Sequence, residues 1–273
     1  MIEISAVRQF PVTGALDASY AQGLAIKVED LRKTYGEVVA VDGISFSVRE
    51  HEIFGILGPN GAGKTTTVEI LEGLRPADGG KAMVAGVDVL RYPTRVKSLI
   101  GVQLQSANFW DNLRLTEIID VFAAIYGRRV DAMAILTKVE LRDKAKAYTK
   151  HLSGGQKQRF SIATALVNEP RVIFLDEPTT GLDPQARRNL WELVRSLREE
   201  GATVVMTTHY LEEAEVLCDR VAIMDEGRIV TLDTPDALIE RLLAKGFRRK
   251  KAEREANLED VFIDLTGKDL RED

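Results

Sequence analysis

The sequence lacks several features that would assign it to particular classes of protein. It contains a single cysteine, Cys218, among 273 residues, so an internal disulfide is excluded and a reducing compartment such as the cytoplasm is expected. No stretch approaches the roughly 18 apolar residues that a membrane-spanning helix needs. Residues 1–25 have no apolar core behind a basic start, so no secretion signal is expected. Any contact with a membrane should therefore be peripheral.

An excess of basic residues is also missing. Lys and Arg number 37 against 42 Asp and Glu, which gives a formal net charge of −5. Sequence-independent binding to nucleic acid usually leaves a basic footprint, so we expect no nucleic-acid partner. Hydrophobic residues at 45% and charged residues at 29% are typical of a folded globular protein, and the length suits one large domain.

Short apolar runs predict strands of two kinds. Residues 25–28 and 43–48 alternate apolar and polar side chains, as half-buried antiparallel strands do. Other runs are almost continuously apolar, which favours strands that are buried on both faces of a parallel sheet. These runs are residues 52–57, 172–175, 203–206 and 221–224.

Helical spacing of apolar residues lies between these runs. Residues 184–199 form one such segment, with Asp183 as its predicted N-cap and Pro184 in its first turn. Residues 112–167 contain no good strand and three segments with helical spacing, at 116–126, 131–139 and 156–167. Alternation of strands and helices predicts an α/β fold with a central, mostly parallel sheet. We expect an N-terminal antiparallel β subdomain and an inserted α-helical lobe as well.

These patterns divide the chain into three parts. Residues 1–24 show neither strand nor helix periodicity and are interpreted as an N-terminal extension. Residues 25–240 form the predicted main domain, with the helical lobe at about 106–168. Residues 241–273 form a charged, helix-prone C-terminal tail with an amphipathic segment at 258–265.

A glycine-rich motif follows the first buried strand and precedes a helix. Its residues are Gly58, Pro59, Asn60, Gly61, Ala62, Gly63, Lys64 and Thr65, followed by Thr66. This spacing in this context predicts a P-loop, and hence a P-loop NTPase core. Backbone N–H groups would surround the phosphates of ATP, Lys64 would contact the terminal phosphates, and Thr65 would offer a hydroxyl to Mg²⁺. The alternative is a glycine-rich turn without function.

Two acidic residues end the strand predicted at 172–175. A carboxylate at the carboxyl end of a central strand can face a bound nucleotide. We therefore predict that Asp176 holds Mg²⁺, directly or through water, and that Glu177 is the general base for an attacking water. Glu177 could instead be a surface carboxylate. Kinases, helicases and GTPases would also fit the observations to this point.

A further motif narrows the choice of family. Leu152, Ser153, Gly154, Gly155 and Gln156 precede a predicted helix, and a Ser-Gly-Gly turn at a helix start presents free N–H groups to an anion. Alone it could be no more than a helix N-cap. Beside the P-loop and the acidic pair, it resembles the signature of ABC ATPases, and the resemblance covers about residues 25–230.

The resemblance implies roles for other residues. Gln105 would be the Q-loop glutamine that reaches Mg²⁺, with Gln103 as a near neighbour of the same type. Asp183 would belong to the D-loop as well as capping a helix. His209 would be the switch histidine at the terminal phosphate, rather than a solvated loop residue. Tyr35 would stack on adenine, unless it is simply a turn tyrosine.

The resemblance also implies partners. The signature of one subunit would close over the P-loop of another, so that two ATP molecules lie within a head-to-tail dimer, expected to be a homodimer. Residues 208–215, 218–224 and 258–266 resemble ATPases of bacterial drug-resistance exporters of the ABC-2 type. An ATPase that powers export through a separate integral membrane permease, at the inner face of the cell membrane, is therefore the leading hypothesis. An importer ATPase and an ABC ATPase that acts on DNA or ribosomes remain alternatives.

Overall fold

The structure is a computed structural model that describes residues 23–103, 109–247 and 258–266. Most of the predicted N-terminal extension, Gln105 and part of the C-terminal tail lie outside these residues. Within them, the chain forms one antiparallel sheet and one mostly parallel sheet, with helices on both sides of the latter. No helix in these ranges is both long enough and apolar enough to cross a membrane.

The antiparallel sheet has the strand order β2-β1-β4-β5. Its strands are β1 (Leu24–Tyr35), β2 (Val38–Arg49), β4 (Gly79–Val84) and β5 (Val87–Asp88). β1 pairs antiparallel with both β2 and β4, which confirms the predicted N-terminal β subdomain. The sequence pattern at 25–28 and 43–48 identified only parts of β1 and β2, because the exposed residues of the hairpin obscure the alternation.

The larger sheet has the strand order β10-β9-β3-β8-β7-β6. Its strands are β3 (Ile53–Leu57), β6 (Ile100–Gln103), β7 (Val172–Asp176), β8 (Thr203–Thr208), β9 (Arg220–Asp225) and β10 (Arg228–Asp233). The pairs among β6, β7, β8, β3 and β9 are all parallel, and β10 alone is antiparallel to its neighbour. The predicted central, mostly parallel sheet is therefore confirmed.

Nine helices connect or flank the strands in the described part of the chain. They are α1 (Lys64–Leu71), α2 (Pro93–Lys97), α3 (Leu115–Ile125), α4 (Ala132–Lys138), α5 (Gly154–Ala165), α6 (Pro184–Glu199), α7 (Leu211–Leu217), α8 (Pro235–Ala244) and α9 (Leu258–Thr266). Helices α3 to α5 lie between β6 and β7 and form the predicted helical lobe. The caps that begin α5 and α6, Ser153 and Asp183, both accept hydrogen bonds from their helices, as the sequence predicts.

The core lies on both faces of the larger sheet. Alternate residues of β3 show this division: Ile53 and Leu57 belong to the apolar cluster under the helical lobe and α6 to α9. Phe54 and Ile56 belong to the cluster beneath α1 and the antiparallel sheet. Burial on both faces explains why the parallel strands read as continuous apolar runs. At the carboxyl ends of β7 and β8, by contrast, polar residues follow the apolar runs, as Asp176, Thr207 and Thr208 do.

Candidate functional site

The predicted site residues meet at the carboxyl edge of the larger sheet. In the parallel register, Leu57 of β3 pairs with Thr208 of β8, and Asp176 of β7 pairs with Thr207 of β8. The P-loop follows β3, His209 follows β8, and Glu177 follows β7. Three adjacent strands therefore bring the glycine-rich loop, the acidic pair and the histidine to one place, although they are far apart in sequence.

The backbone of the glycine-rich loop has no space for side chains at two positions. A Cβ on Gly63 would lie 2.2 Å from the carbonyl oxygen of Ala40, and a Cβ on Gly58 would lie 2.3 Å from that of Met224. Gly63 also has φ of 95°, a conformation that glycine adopts without strain. Helix α1 starts immediately afterwards, so its free N–H groups face the loop, where the helix dipole favours a phosphate.

Lys64 is buried beneath this loop. Its side chain is 5% exposed, and Nζ donates hydrogen bonds to the carbonyl oxygens of Gly58 (2.7 Å) and Pro59 (3.0 Å). Burial lowers the pKa of Lys64, while the nearby carboxylates of Glu177 and Asp176 act in the opposite direction. The lysine is thus placed between the loop and the acidic pair, where it could contact a terminal phosphate.

Asp176 and Thr65 provide oxygen atoms that suit a magnesium ion. Burial raises the pKa of Asp176, and a hydrogen bond from the hydroxyl of Thr207 opposes that rise. Thr65, next to Lys64, is exposed. Among the described residues, no group of three or more His, Cys, Asp and Glu side chains could hold a metal. Mg²⁺ in nucleotide sites takes only one or two protein ligands beside phosphate and water, and these two residues fit that requirement.

Glu177 is held in a strained conformation beside His209. Its φ is 46°, which is unusual for a residue with a side chain, and its N–H donates to the carbonyl (3.2 Å) and hydroxyl (3.1 Å) oxygens of Thr207. Oε1 lies 3.3 Å from Nδ1 of His209, and Oε2 accepts a hydrogen bond from Thr180 at 3.3 Å. Such strain is often found where a side chain must be aimed at a reacting group.

Tyr35 lies at the end of β1 with its ring partly open to solvent. The side chain is 39% exposed, and the cationic groups of Lys33 and Arg75 each lie 5.3 Å from the ring centroid. Arg75 is itself paired with Glu69. The partly exposed ring of Tyr35, with two cationic groups nearby, could stack on the base of a nucleotide. A role as a turn tyrosine fits the same geometry.

The predicted signature turn lies against the start of α6. Ser153 accepts a hydrogen bond from the N–H of Gln156, and the Gln156 side chain accepts one from the N–H of Ser153, so they form a capping box. A Cβ on Gly155 would lie 3.0 Å from that of Ala186 in α6. Ser153 and Gly154 are exposed. The N-terminal end of α5 therefore faces solvent beside the start of α6, which the carboxylate of Asp183 caps.

Of the two candidate Q-loop glutamines, the structure describes Gln103 but not Gln105. Gln105, the residue predicted to reach Mg²⁺, lies outside the described residues. Gln103 ends β6, is fully buried and pairs in register with Leu175 of β7. It therefore lies one residue short of the level of Asp176, within the sheet.

Sequence reasoning missed several residues at this site. Thr207 contacts both Asp176 and the backbone of Glu177, and Thr180 contacts the Glu177 carboxylate. Thr207 could have been found from its position in the sequence. It lies near the end of a buried strand, β8, that neighbours the strand ending in the acidic pair, so its hydroxyl group must lie at the same edge of the sheet as Asp176. Thr180 had no comparable signal, since its contact depends on the turn after Glu177.

Comparison with known proteins gives consistent matches over most of the chain. The profile of the family described as "ABC transporter" matches residues 41–180. The Nod factor export ATP-binding protein I of Ralstonia nicotianae is 36% identical over 90% of this chain and 95% of that protein. The daunorubicin resistance ATP-binding protein DrrA2 of Streptomyces coeruleorubidus is 43% identical over 79% of this chain and 69% of that protein. The linearmycin resistance ATP-binding protein LnrL of Bacillus subtilis is 39% identical over 80% and 71%, respectively.

Solved structures agree with the sequence matches. An ATP-binding subunit of an ABC transporter has a TM-score of 0.75 and 27% identity, covering 89% of this chain and 99% of its own. A dimeric ATP-binding cassette in a post-hydrolysis state, bound to ADP and Pi, has a TM-score of 0.69 and 28% identity over 77% of this chain and 98% of its own. The fold thus coincides with that of solved ATP-binding cassettes.

Proposed function

Because this chain belongs to the ABC transporter ATP-binding family, whose members are ATPases coupled to transport, we propose that it powers export through a separate membrane-spanning partner. The observation that supports export most directly is the similarity, over 90% of the chain, to a protein named for Nod factor export. Two further relatives are named for resistance to daunorubicin and linearmycin, which is consistent with removal of compounds from the cell.

We propose that hydrolysis uses the residues at the carboxyl edge of the sheet. The P-loop amides and Lys64 bind the phosphates, Tyr35 stacks on adenine, and Thr65, Asp176 and Gln105 hold Mg²⁺. A bound Mg²⁺ would offset negative charge on the phosphate oxygens. Glu177 takes a proton from the attacking water, and His209 holds the Glu177 carboxylate in position and contacts the terminal phosphate. The 3.3 Å separation of His209 Nδ1 and Glu177 Oε1 supports this pairing.

We propose that the complete site requires a second subunit, most simply a second copy of this chain. Ser153, Gly154, Gly155 and Gln156 lie at the solvent-facing start of α5, where they could bind a phosphate that the P-loop of a partner holds. Asp183 lies beside them. The dimeric state of a similar solved cassette supports this arrangement. ATP would then close the dimer and hydrolysis would reopen it.

The proposed location is the cytoplasmic face of the cell membrane. A transporter ATPase must act on a partner that spans the membrane. No helix in the described part of this chain could itself cross a membrane. An integral membrane permease, encoded as a separate chain, would supply the substrate contacts.

The decisive experiment combines purification with one substitution. The tagged chain should recover a membrane protein from solubilised membranes, and Glu177→Gln should bind ATP, lose turnover and remain dimeric. Glu192→Gln on the exposed side of α6 is a matched control that should hydrolyse ATP at the parental rate. Normal turnover by Glu177→Gln would refute the proposed chemistry. Recovery of ribosomes, or of an importer with its binding protein, would refute the export proposal.

A further inference from the structure

A buried glutamate lies behind the site and has no role in the proposed chemistry. Glu213 is in α7, four residues after His209, and is fully buried. Its Oε1 accepts a hydrogen bond from the indole nitrogen of Trp191, in α6, at 3.2 Å. Burial raises the pKa of Glu213, and the hydroxyls of Thr208 and Thr179 with Trp191 oppose that rise. A carboxyl group in such a place needs several donors to offset its lost hydration.

The two threonines that oppose the rise in the pKa of Glu213 come from two segments of the site. Thr208 is the residue before His209, and its hydroxyl oxygen also accepts a hydrogen bond from the N–H of Tyr210. Thr179 begins the turn that leads to Asp183, since its carbonyl oxygen accepts from the N–H of Leu182. The pKa of Glu213 is therefore affected both by the segment that carries His209 and by the segment that presents Asp183 to solvent, while its hydrogen bond to Trp191 ties it to α6.

Arg187 extends this cluster to the rings beside the histidine. Its guanidinium lowers the pKa of Glu213 through its charge, and its Cζ lies 4.8 Å from the centroid of the Tyr210 ring. The Tyr210 and His209 ring centroids are 4.1 Å apart. Contacts thus lead from Arg187 in α6 through Tyr210 to His209 and its neighbour Glu177. Trp191 of the same helix bonds Glu213 in the helix that follows His209.

The pairing within this cluster is incomplete. Among the described residues, Glu213 Oε2, Thr179 Oγ1 and Arg187 Nε are buried and have no hydrogen bond of standard geometry. They are nevertheless close enough to influence one another electrostatically. A buried polar network that is only partly hydrogen-bonded is stabilised when its members move so that the missing hydrogen bonds form. Small shifts of the Thr179 segment would therefore be felt at Glu213.

We propose that Glu213 is a positioning residue that links the Thr179–Asp183 segment to the His209 segment and holds His209 at Glu177. This inference depends on the proposed roles of Glu177 and His209. Asp183 lies next to the exposed signature turn, where a second subunit is proposed to bind. Contact of that subunit with Asp183 would pull on the Thr179 turn, and Glu213 would transmit the shift to the histidine.

Substitution of Glu213 by Gln tests the link with little change in volume. The amide can still accept from Trp191, but it adds donors that face the hydroxyls and Arg187. We expect kcat for ATP to fall at least about tenfold, because small misplacements of catalytic groups are costly. The KM for ATP should stay within about twofold and the Tm within a few degrees. Glu212→Gln, the exposed preceding residue, is the matched control and should keep parental kcat.

A second variant separates positioning from simple packing. Thr179→Val removes one hydroxyl from the other segment, and it should lower kcat without changing KM. If the two residues act through one network, the double variant should lose less than the product of the single losses. Should Glu213→Gln fail to fold, Thr179→Val and Trp191→Phe carry the test alone, because Trp191 donates a hydrogen bond to Glu213 and the Thr179 hydroxyl lowers the pKa of Glu213.

Two outcomes would overturn the link. One is a kcat for Glu213→Gln, or for Thr179→Val if the former does not fold, within twofold of the parent. The other is a fall in kcat that is accompanied by weaker ATP binding and a lower Tm, because a general loss of packing would produce all three. Glu177→Gln is assayed in parallel: if it retains turnover, the proposed function fails. If it is inactive while the Glu213 and Thr179 variants are normal, only the positioning role fails.

Discussion

His209 Nδ1 lies 3.3 Å from Oε1 of Glu177, although the two residues follow different strands. Since β7 and β8 are adjacent and parallel, the contact is imposed by the sheet. Glu177 also has a positive φ, a backbone conformation that recurs at functional sites. The two side chains should therefore act as a unit in hydrolysis.

We predict that His209→Ala lowers kcat by about 100-fold, within the range for loss of a group that assists proton transfer. The KM for ATP should change little, because the P-loop and Lys64 are untouched. Steady-state ATPase assays on the purified full-length chain would measure both parameters. His51→Ala provides the control, since His51 lies before β3 at the opposite edge of the sheet and hydrogen-bonds to Gly201. Equal turnover of the two variants would contradict the prediction.

The glycines of the P-loop provide a matched pair of substitutions. Gly61 and Gly63 have φ of 80° and 95°, but a Cβ on Gly61 meets nothing within 4 Å, whereas one on Gly63 meets the Ala40 carbonyl at 2.2 Å. Gly61→Ala should cost only the conformational strain, about 1 kcal/mol. Gly63→Ala should displace the loop and abolish ATP binding. Thermal unfolding and titration with a fluorescent ATP analogue would distinguish them, and comparable affinities would contradict the argument.

Much of this fold was predictable because parallel strands that are buried on both faces leave long apolar runs. The runs at 172–175 and 203–206 each located a strand, and α6 began and ended at the predicted residues. β6 and β10 were missed. β6 has only four residues, Ile100–Gln103, and β10 is half-exposed with only three apolar residues among six, so neither gives a distinct pattern.

At the site, motifs predicted residues that follow strands, but they did not predict contacts that depend on turns. Asp176 was predicted from its position at the end of a central strand, Lys64 from the P-loop motif, and His209 from the resemblance to ABC ATPases. Thr180 and Glu213 were not predicted. Glu213 looks like an ordinary helix glutamate in the sequence, and only the packing of α7 against α6 buries it beside Trp191.

Lys64 should be needed for nucleotide binding but not for folding. Its ammonium group is buried and bonded only to loop carbonyl oxygens in the contacts described for it, and burial of a charge offsets much of what those bonds contribute. We predict that Lys64→Met raises the Kd for ATP by at least about tenfold, equivalent to ~1.4 kcal/mol. The Tm without nucleotide should stay within a few degrees of the parent. Lys157→Met, on the exposed surface of α5, should alter neither quantity.

Glu72, at the end of α1, should make stability depend on pH in an unusual direction. It is 2% exposed, and burial, followed by repulsion from Asp176 and Glu69, raises its pKa from 4.5 to about 8. Between these two pH values the unfolded chain loses the proton while the folded chain keeps it. The free energy of unfolding should therefore fall as pH rises through this window, by roughly 5 kcal/mol at most, since one pKa unit corresponds to ~1.4 kcal/mol.

Glu72→Gln removes this titration, so its free energy of unfolding should change less between pH 5 and pH 8 than that of the parent. Urea unfolding at several pH values, in buffer with a chelator to remove metal ions, measures the difference. Glu240→Gln, exposed on α8, removes one carboxylate in the same way and should leave the parental pH dependence intact. If Glu72→Gln shows the parental slope, the buried carboxyl is already ionised at pH 5 in the folded chain. A charged group must then compensate for its burial, and Arg75, which pairs with Glu69, is the nearest candidate along the chain.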